Sequence, residues 1–157
     1  MSNFKVLVLG ANGMLGKMVS LHLDSSTDLI VEVTSRSATE FIKNNFKNNS
    51  HILDVNKNYK NQLENLVTEN NYHYIINCIG VIKPKINETD NISVSNTILT
   101  NSYFPMDIQN IAWVNNVKYL QIGTDCVFSG IDGNYLEDSF KDAEILQCTR
   151  NLKSLNV

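Results

Sequence analysis

Three glycines spaced by three, Gly10, Gly13 and Gly16, follow directly on the apolar run Phe4-Lys5-Val6-Leu7-Val8-Leu9. Glycine in that place lets the chain turn sharply and lets backbone N–H groups approach a pyrophosphate closely. It also lets a helix N-terminus, with its partial positive charge, face the anion. The pattern points to a dinucleotide only when a strand precedes it and a helix follows; a tight strand-to-helix turn is the alternative. A second polar group, Thr34-Ser35-Arg36-Ser37, closes the next apolar run. A nicotinamide site must choose there between a carboxylate that accepts from a ribose 2'-OH and a cation that faces a 2'-phosphate. A guanidinium and hydroxyls without a carboxylate favour NADP(H) over NAD(H), with a solvated surface Arg as the alternative.

The elements that must position these groups follow from the spacing of apolar residues. Phe4 to Leu9 reads as a strand buried on both faces. Leu15, Met18, Val19 and His22 then recur at helical spacing, predicting a helix from about Gly13 to Leu23. Further strands are predicted at Leu29 to Thr34, His51 to Val55, Tyr74 to Cys78 and Tyr119 to Gly123. A polar, Asn-rich stretch from Phe41 to Asn49 separates the second strand from the third. A helix from Tyr59 to Glu69 carries Leu63, Leu66 and Val67, and a long amphipathic stretch from Ser93 to Asn115 carries Ile98, Phe104, Ile108, Ile111 and Ala112. Strands alternating with helices predict a doubly wound α/β domain with a mostly parallel sheet. From Asp125 onward Gly, Asp, Asn and Ser predict a loop.

Composition narrows the class of function. The 157 residues, 43% hydrophobic and 18% charged, suffice for one ordinary core. A net charge of -3 with scattered Lys and Arg leaves no basic patch for a phosphate backbone, so nucleic acid is not an expected partner. The apolar run near the start is too short for a signal sequence or a membrane span, and a cytoplasmic protein is expected. Cys78, Cys126 and Cys148 lack metal-binding or disulfide spacing. Cys78 is expected to pack as a small hydrophobe, and His22, His51 and His73 to serve structure or surface. No metal site is expected.

The three-residue glycine spacing is similar to that of the extended short-chain dehydrogenase/reductases. That resemblance implies that Asn12, Met14 and Leu15 line the turn beneath the phosphates. Asp54-Val55, after the third strand, resembles the pair that holds the adenine ring, although an Asp capping a loop looks the same. Asn77-Cys78-Ile79-Gly80 resembles the small-residue turn beside the cofactor's ribose and nicotinamide-side phosphate; an ordinary Gly turn is the competing account.

Thr124-Asp125-Cys126-Val127-Phe128-Ser129-Gly130, followed by Gly133-Asn134-Tyr135-Leu136-Glu137-Asp138, resembles the signature of dTDP-4-dehydrorhamnose reductases. Asn101-Ser102-Tyr103-Phe104-Pro105 resembles the Asn-x-x-x-Pro segment of the same family. The resemblance implies hydride transfer from a nicotinamide to a 4-keto nucleotide sugar. Thr124 would orient the carbonyl, and Asn101 would support a Lys through water. The family's Tyr acid, with a Lys four residues later, has no counterpart: Tyr135 has Ser139 at that spacing and no Tyr follows it. Cys126 and Ser129 stand where the family has Tyr and Asp, which leaves the sugar open.

These readings place an NAD(P)-binding domain at residues 1–138 and an atypical tail at 139–157, as expected of a shifted reading frame near Ala143. The chain is then expected to be an N-terminal fragment with little turnover. It would expose apolar surface and a sheet edge, giving marginal solubility or a homodimer that closes the edge. Two other readings stay open: a non-catalytic NADP(H)-binding sensor or partner module, and an epimerase or dehydratase of the same group.

Overall fold

Strands apolar on both sides need helices over both faces of their sheet. The computed structural model describes residues 4–123, 131, 133–136, 138 and 139. The chain divides into two compact units, Met1–Ile122 and Gly123–Val157. In the first, β1 (Phe4–Leu9), β2 (Leu29–Ser35), β3 (Ser50–Ile52), β4 (Tyr74–Asn77) and β5 (Lys118–Gln121) form one sheet in the order β3-β2-β1-β4-β5. Every pairing is parallel, with Val6 opposite both Val31 and Tyr74. The helices are α1 (Met14–Asp24), α2 (Glu40–Asn45), α3 (Tyr59–Asn70), α4 (Asn91–Ile98) and α5 (Phe104–Val114). The chain is thus doubly wound, and the strand order turns back between β1 and β4.

The two-residue period of β1 divides the core. Leu7 and Leu9 point to one side, packing with Ile75, Leu63, Val67, Phe104 and Ile108 beneath α3 and α5. Val6 and Val8 point to the other, with Val31, Val33, Ile42 and Phe46. Burial on both faces is why β1 shows an unbroken apolar run rather than alternation. Toward β5 the second face opens: Leu120 and Ile122 are exposed, as are Leu15, Met18 and Leu21 of α1.

Three boundaries differ from expectation. The stretch 41–49 contains α2, because Ile42 and Phe46, four residues apart, both drop into the second core and outweigh the weak helix propensity of Asn. β3 ends at Ile52; beyond it Leu53 N donates to Ser35 O at 2.9 Å, and Leu53 and Val55 are buried in the first core. The amphipathic stretch is not one helix: a π-helical turn, Leu99–Tyr103, joins α4 to α5. Pro105 has no N–H for the carbonyl of Asn101 four residues earlier, so regular α-helical bonding fails there.

Of the second unit, the described residues form a loop, as expected. Gly133 and Asn134 take left-handed backbone, and Leu136 and Ser139 are joined by two hydrogen bonds, Leu136 N to Ser139 Oγ at 2.8 Å and Ser139 N to Leu136 O at 3.0 Å.

Candidate cofactor-binding site

The glycine loop leaves the C-terminal end of β1 at the point where the strand order turns back, the place at which open parallel sheets bind ligands. Gly10 has φ of +87°, and a Cβ on it would stand 2.6 Å from Ile79 Cγ1. Its N–H, with that of Ala11, donates to the carbonyl of the buried Thr34 at 3.2 and 2.9 Å, fixing the loop to the end of β2. A Cβ on Gly16 would lie 2.2 Å from Gly10 O, so α1 begins in van der Waals contact with the loop backbone. Gly13 is the N-cap of α1, and the first turn carries no acidic residue and no side-chain cap. No side chain of that turn therefore competes for its first N–H groups. Met14 is 88% exposed at the rim and Leu15 is exposed beside it.

At the tip of β2, Ser35 is buried while Arg36 and Ser37 are exposed. Among the described residues no carboxylate pairs with Arg36. Asn12 reaches from the glycine loop to this tip, its Nδ2 donating to Ser37 O at 3.1 Å and its Oδ1 accepting from Thr39 Oγ1 at 2.6 Å.

The third part is the turn after β4. Asn77 is fully buried; its Nδ2 donates to Gln121 Oε1 at 2.9 Å, and its Oδ1 accepts from Ile79 N at 3.0 Å. It thereby joins the ends of β4 and β5 and shapes the turn that Gly10 touches. Burial pushes the Cys78 thiol up, in keeping with a neutral residue packed against the second core. Gly80 lies below Asn101, whose Oδ1 would be 3.7 Å from a Cβ there. The Asn101 carboxamide is committed to one backbone unit: Val81 N donates to Oδ1 and Nδ2 donates to Val81 O, each at 2.8 Å. Asn101→Ala is expected to lower stability by about 1 kcal/mol, the ordinary value of exposed hydrogen bonds. It should also speed amide exchange at Val81; unchanged exchange there would contradict the clamp.

The glycine loop, the β2 tip, the turn 77–80 and Asn101 thus form one contiguous edge. Asp54 and Val55 follow in the loop after β3, next to Leu53, whose N–H donates to Ser35 O at 2.9 Å at the β2 tip. Val55 is buried, and Asp54 Oδ1 accepts from Asn56 N at 3.1 Å in the loop-capping arrangement. Thr124 and the segment 124–130 lie outside the described residues. A cavity of about 380 Å³, lined by Phe4, His73, Tyr74, Trp113 and Lys118 among others, sits at the starts of the strands, away from these groups.

Sequence reading missed Glu32. Its carboxylate accepts from Lys5 Nζ at 2.8 Å, from His51 Nε2 at 2.7 Å and from the Tyr72 hydroxyl. Burial pushes the Glu32 carboxyl up, but the three hydrogen bonds and the charge of Lys5 together hold it below its usual value. Burial, with Glu32 beside it, pushes the Tyr72 phenol well above its usual range. The available clue was a carboxylate inside the apolar run Leu-Ile-Val-Glu-Val, which must have partners to be buried.

A parallel sheet of this order, with a glycine-lined helix start at the switch point, defines a Rossmann-like α/β domain. Residues 6–146 match the NAD dependent epimerase/dehydratase family, and the chain belongs to it. No curated protein matches the sequence. Among solved structures, a hypothetical dTDP-4-dehydrorhamnose reductase from Sulfolobus tokodaii is 23% identical with a TM-score of 0.66, over 87% of this chain and 45% of that one. The dTDP-4-dehydrorhamnose reductase of Bacillus anthracis, in complex with NADP, is 21% identical with a TM-score of 0.65, over 83% and 40%. The ADP-L-glycero-D-manno-heptose-6-epimerase of Helicobacter pylori is 17% identical with a TM-score of 0.73, over 97% and 49%. The chain spans less than half the length of each of these proteins. Among the described residues no helix is long and apolar enough to cross a membrane.

Proposed function

We propose that the chain is the cofactor-binding part of an NADP(H)-dependent reductase acting on a 4-keto nucleotide sugar, of the dTDP-4-dehydrorhamnose reductase type. The observation that carries the cofactor choice is the tip of β2, where Arg36, flanked by Ser35 and Ser37, stands exposed beside the glycine loop. A guanidinium beside the exposed Ser37 hydroxyl suits a 2'-phosphate and offers a ribose 2'-OH no acceptor carboxylate. Gly10, Gly13 and Gly16 supply the close backbone approach for the pyrophosphate, and Asn77 to Gly80 a wall of small residues and backbone beside it. Bound there, the nicotinamide would supply the hydride.

The choice of a reductase within the family rests on the Thr124 to Asp138 motif. Thr124 is assigned to orient the sugar carbonyl. The side chain of Asn101 is taken up by Val81, so its support of a water falls to its main-chain carbonyl, which Pro105 leaves without an α-helical donor. No Tyr in the sequence has a Lys four residues later, so binding of cofactor without turnover is expected of these 157 residues alone.

The test is titration of the chain with NADPH and with NADH, read by reduced-nicotinamide fluorescence. NADPH is expected to bind more tightly, and Arg36→Ala to weaken NADPH by about tenfold, near 1.4 kcal/mol, with NADH little changed. Tighter binding of NADH would remove the NADP(H) assignment, and binding of neither would remove the cofactor reading altogether.

A further inference from the structure

We propose that Asn12 is a specificity-positioning residue: it straps the loop carrying Arg36 to the glycine loop and so makes the site discriminate a 2'-phosphate. The proposal rests on the NADP(H) reading above. In the structure the carboxamide points across to the neighbouring loop, with one atom committed to each of two partners. Its Nδ2 donates to Ser37 O at 3.1 Å, and Thr39 Oγ1 donates to its Oδ1 at 2.6 Å.

The Ser37 carbonyl is the knot of this loop. Besides Asn12 it accepts from Ser35 Oγ and from Thr39 N, both at 2.9 Å. Residues on each side of Arg36 are therefore tied to one oxygen, and among the described residues Asn12 ties that oxygen to the glycine loop. Thr39 gives independent support. It is the N-cap of α2, where a Thr hydroxyl ordinarily accepts from an N–H of the first helical turn, yet its side chain makes no cap. The hydroxyl is directed to Asn12 instead.

A long cation on an untethered loop must be ordered when its ligand arrives, and that entropy is subtracted from affinity. A loop tied beforehand avoids much of that loss. The benefit reaches only a ligand that Arg36 holds, because NADH offers no 2'-phosphate. Asn12 thus acts on selectivity through Arg36 while its own two polar atoms stay on protein partners.

The experiment measures NADPH and NADH dissociation constants for the 157-residue chain and for Asn12→Ala, Thr39→Val, Arg36→Ala and the double variant Asn12→Ala/Arg36→Ala. Circular dichroism melting checks that each folds, and Thr39→Val carries the test if Asn12→Ala does not. Asn12→Ala and Thr39→Val are expected to weaken NADPH by about tenfold and NADH by less than about threefold. Once Arg36 is gone, removing Asn12 should cost NADPH nothing more, the non-additivity of two residues that act as one unit. An equal loss for both cofactors, or fully additive losses in the double variant, would overturn the proposal. If the unaltered chain prefers NADPH and Asn12→Ala keeps that preference, only the strap falls. If the unaltered chain shows no preference, the NADP(H) reading falls and takes the strap with it.

Discussion

Gly16→Ala is expected to abolish dinucleotide binding and to lower stability by about 1–3 kcal/mol or more, the range for forcing extra atoms into a packed site. Its Cβ would stand 2.2 Å from Gly10 O, 2.8 Å from Gly10 C and 3.0 Å from Ala11 Cα. These are backbone atoms and cannot swing aside as a side chain would, so either α1 or the loop must move. Gly13→Ala is the control. Gly13 has an ordinary φ of -72°, and its Cβ would meet only Gly10 O at 3.4 Å. Losing a glycine N-cap costs about 0.5–1 kcal/mol, and the stiffer unfolded chain returns about 0.4–1 kcal/mol, so stability should hardly change. Urea titration of both variants beside NADPH titration separates the effects. A Gly16→Ala chain as stable as the original, with unaltered binding, would contradict the close approach.

Glu32→Ala is expected to cost about 3 kcal/mol, since it strands partly buried donors. The carboxylate gathers Lys5 from β1, His51 from β3 and Tyr72 from the turn before β4, with only 13% of its side chain exposed. The pH dependence has a definite sign. The folded-state pKa of Glu32 lies below the ordinary 4.5. The unfolded state therefore takes up the proton first, and the stabilisation is complete above about pH 4.5 and lost as the pH falls through the folded value. The stability gap between the native chain and Glu32→Gln should accordingly narrow on acidification below pH 4.5. A gap that stayed constant from pH 6 to pH 3 would show that the charge of Glu32 does not contribute.

The architecture was legible because buried parallel strands advertise themselves. Phe4 to Leu9 and Leu29 to Thr34 are apolar on successive residues, and α3 carries a clear stripe at Leu63, Leu66 and Val67. α2 was not legible: six residues with two Asn and two apolar groups fall below what periodicity can resolve, and only the core beneath Ile42 and Phe46 decides the outcome. The site divides in the same way. Gly10, Gly13 and Gly16 act through their own backbone, so spacing alone exposed them. Asn12, Asn101 and Glu32 act through partners 25 or more, 20 and 19 or more residues away. No local pattern encodes such pairings.

The π-helical turn at Leu99–Tyr103 carries a consequence for how the chain tolerates changes of length. A π turn contains one residue more than the α turn it replaces, so α4 and α5 are separated by what amounts to a single-residue insertion held in place by Pro105 and the Asn101 clamp. Deleting one residue here would remove the extra residue of the π turn while leaving Phe104, Ile108 and Ile111 on their buried face, although Pro105 would still deny the carbonyl four residues before it a donor. What such a shortening would forfeit is the aim of Asn101 at Val81, so the extra residue marks a place where chain length serves the crevice rather than the packing.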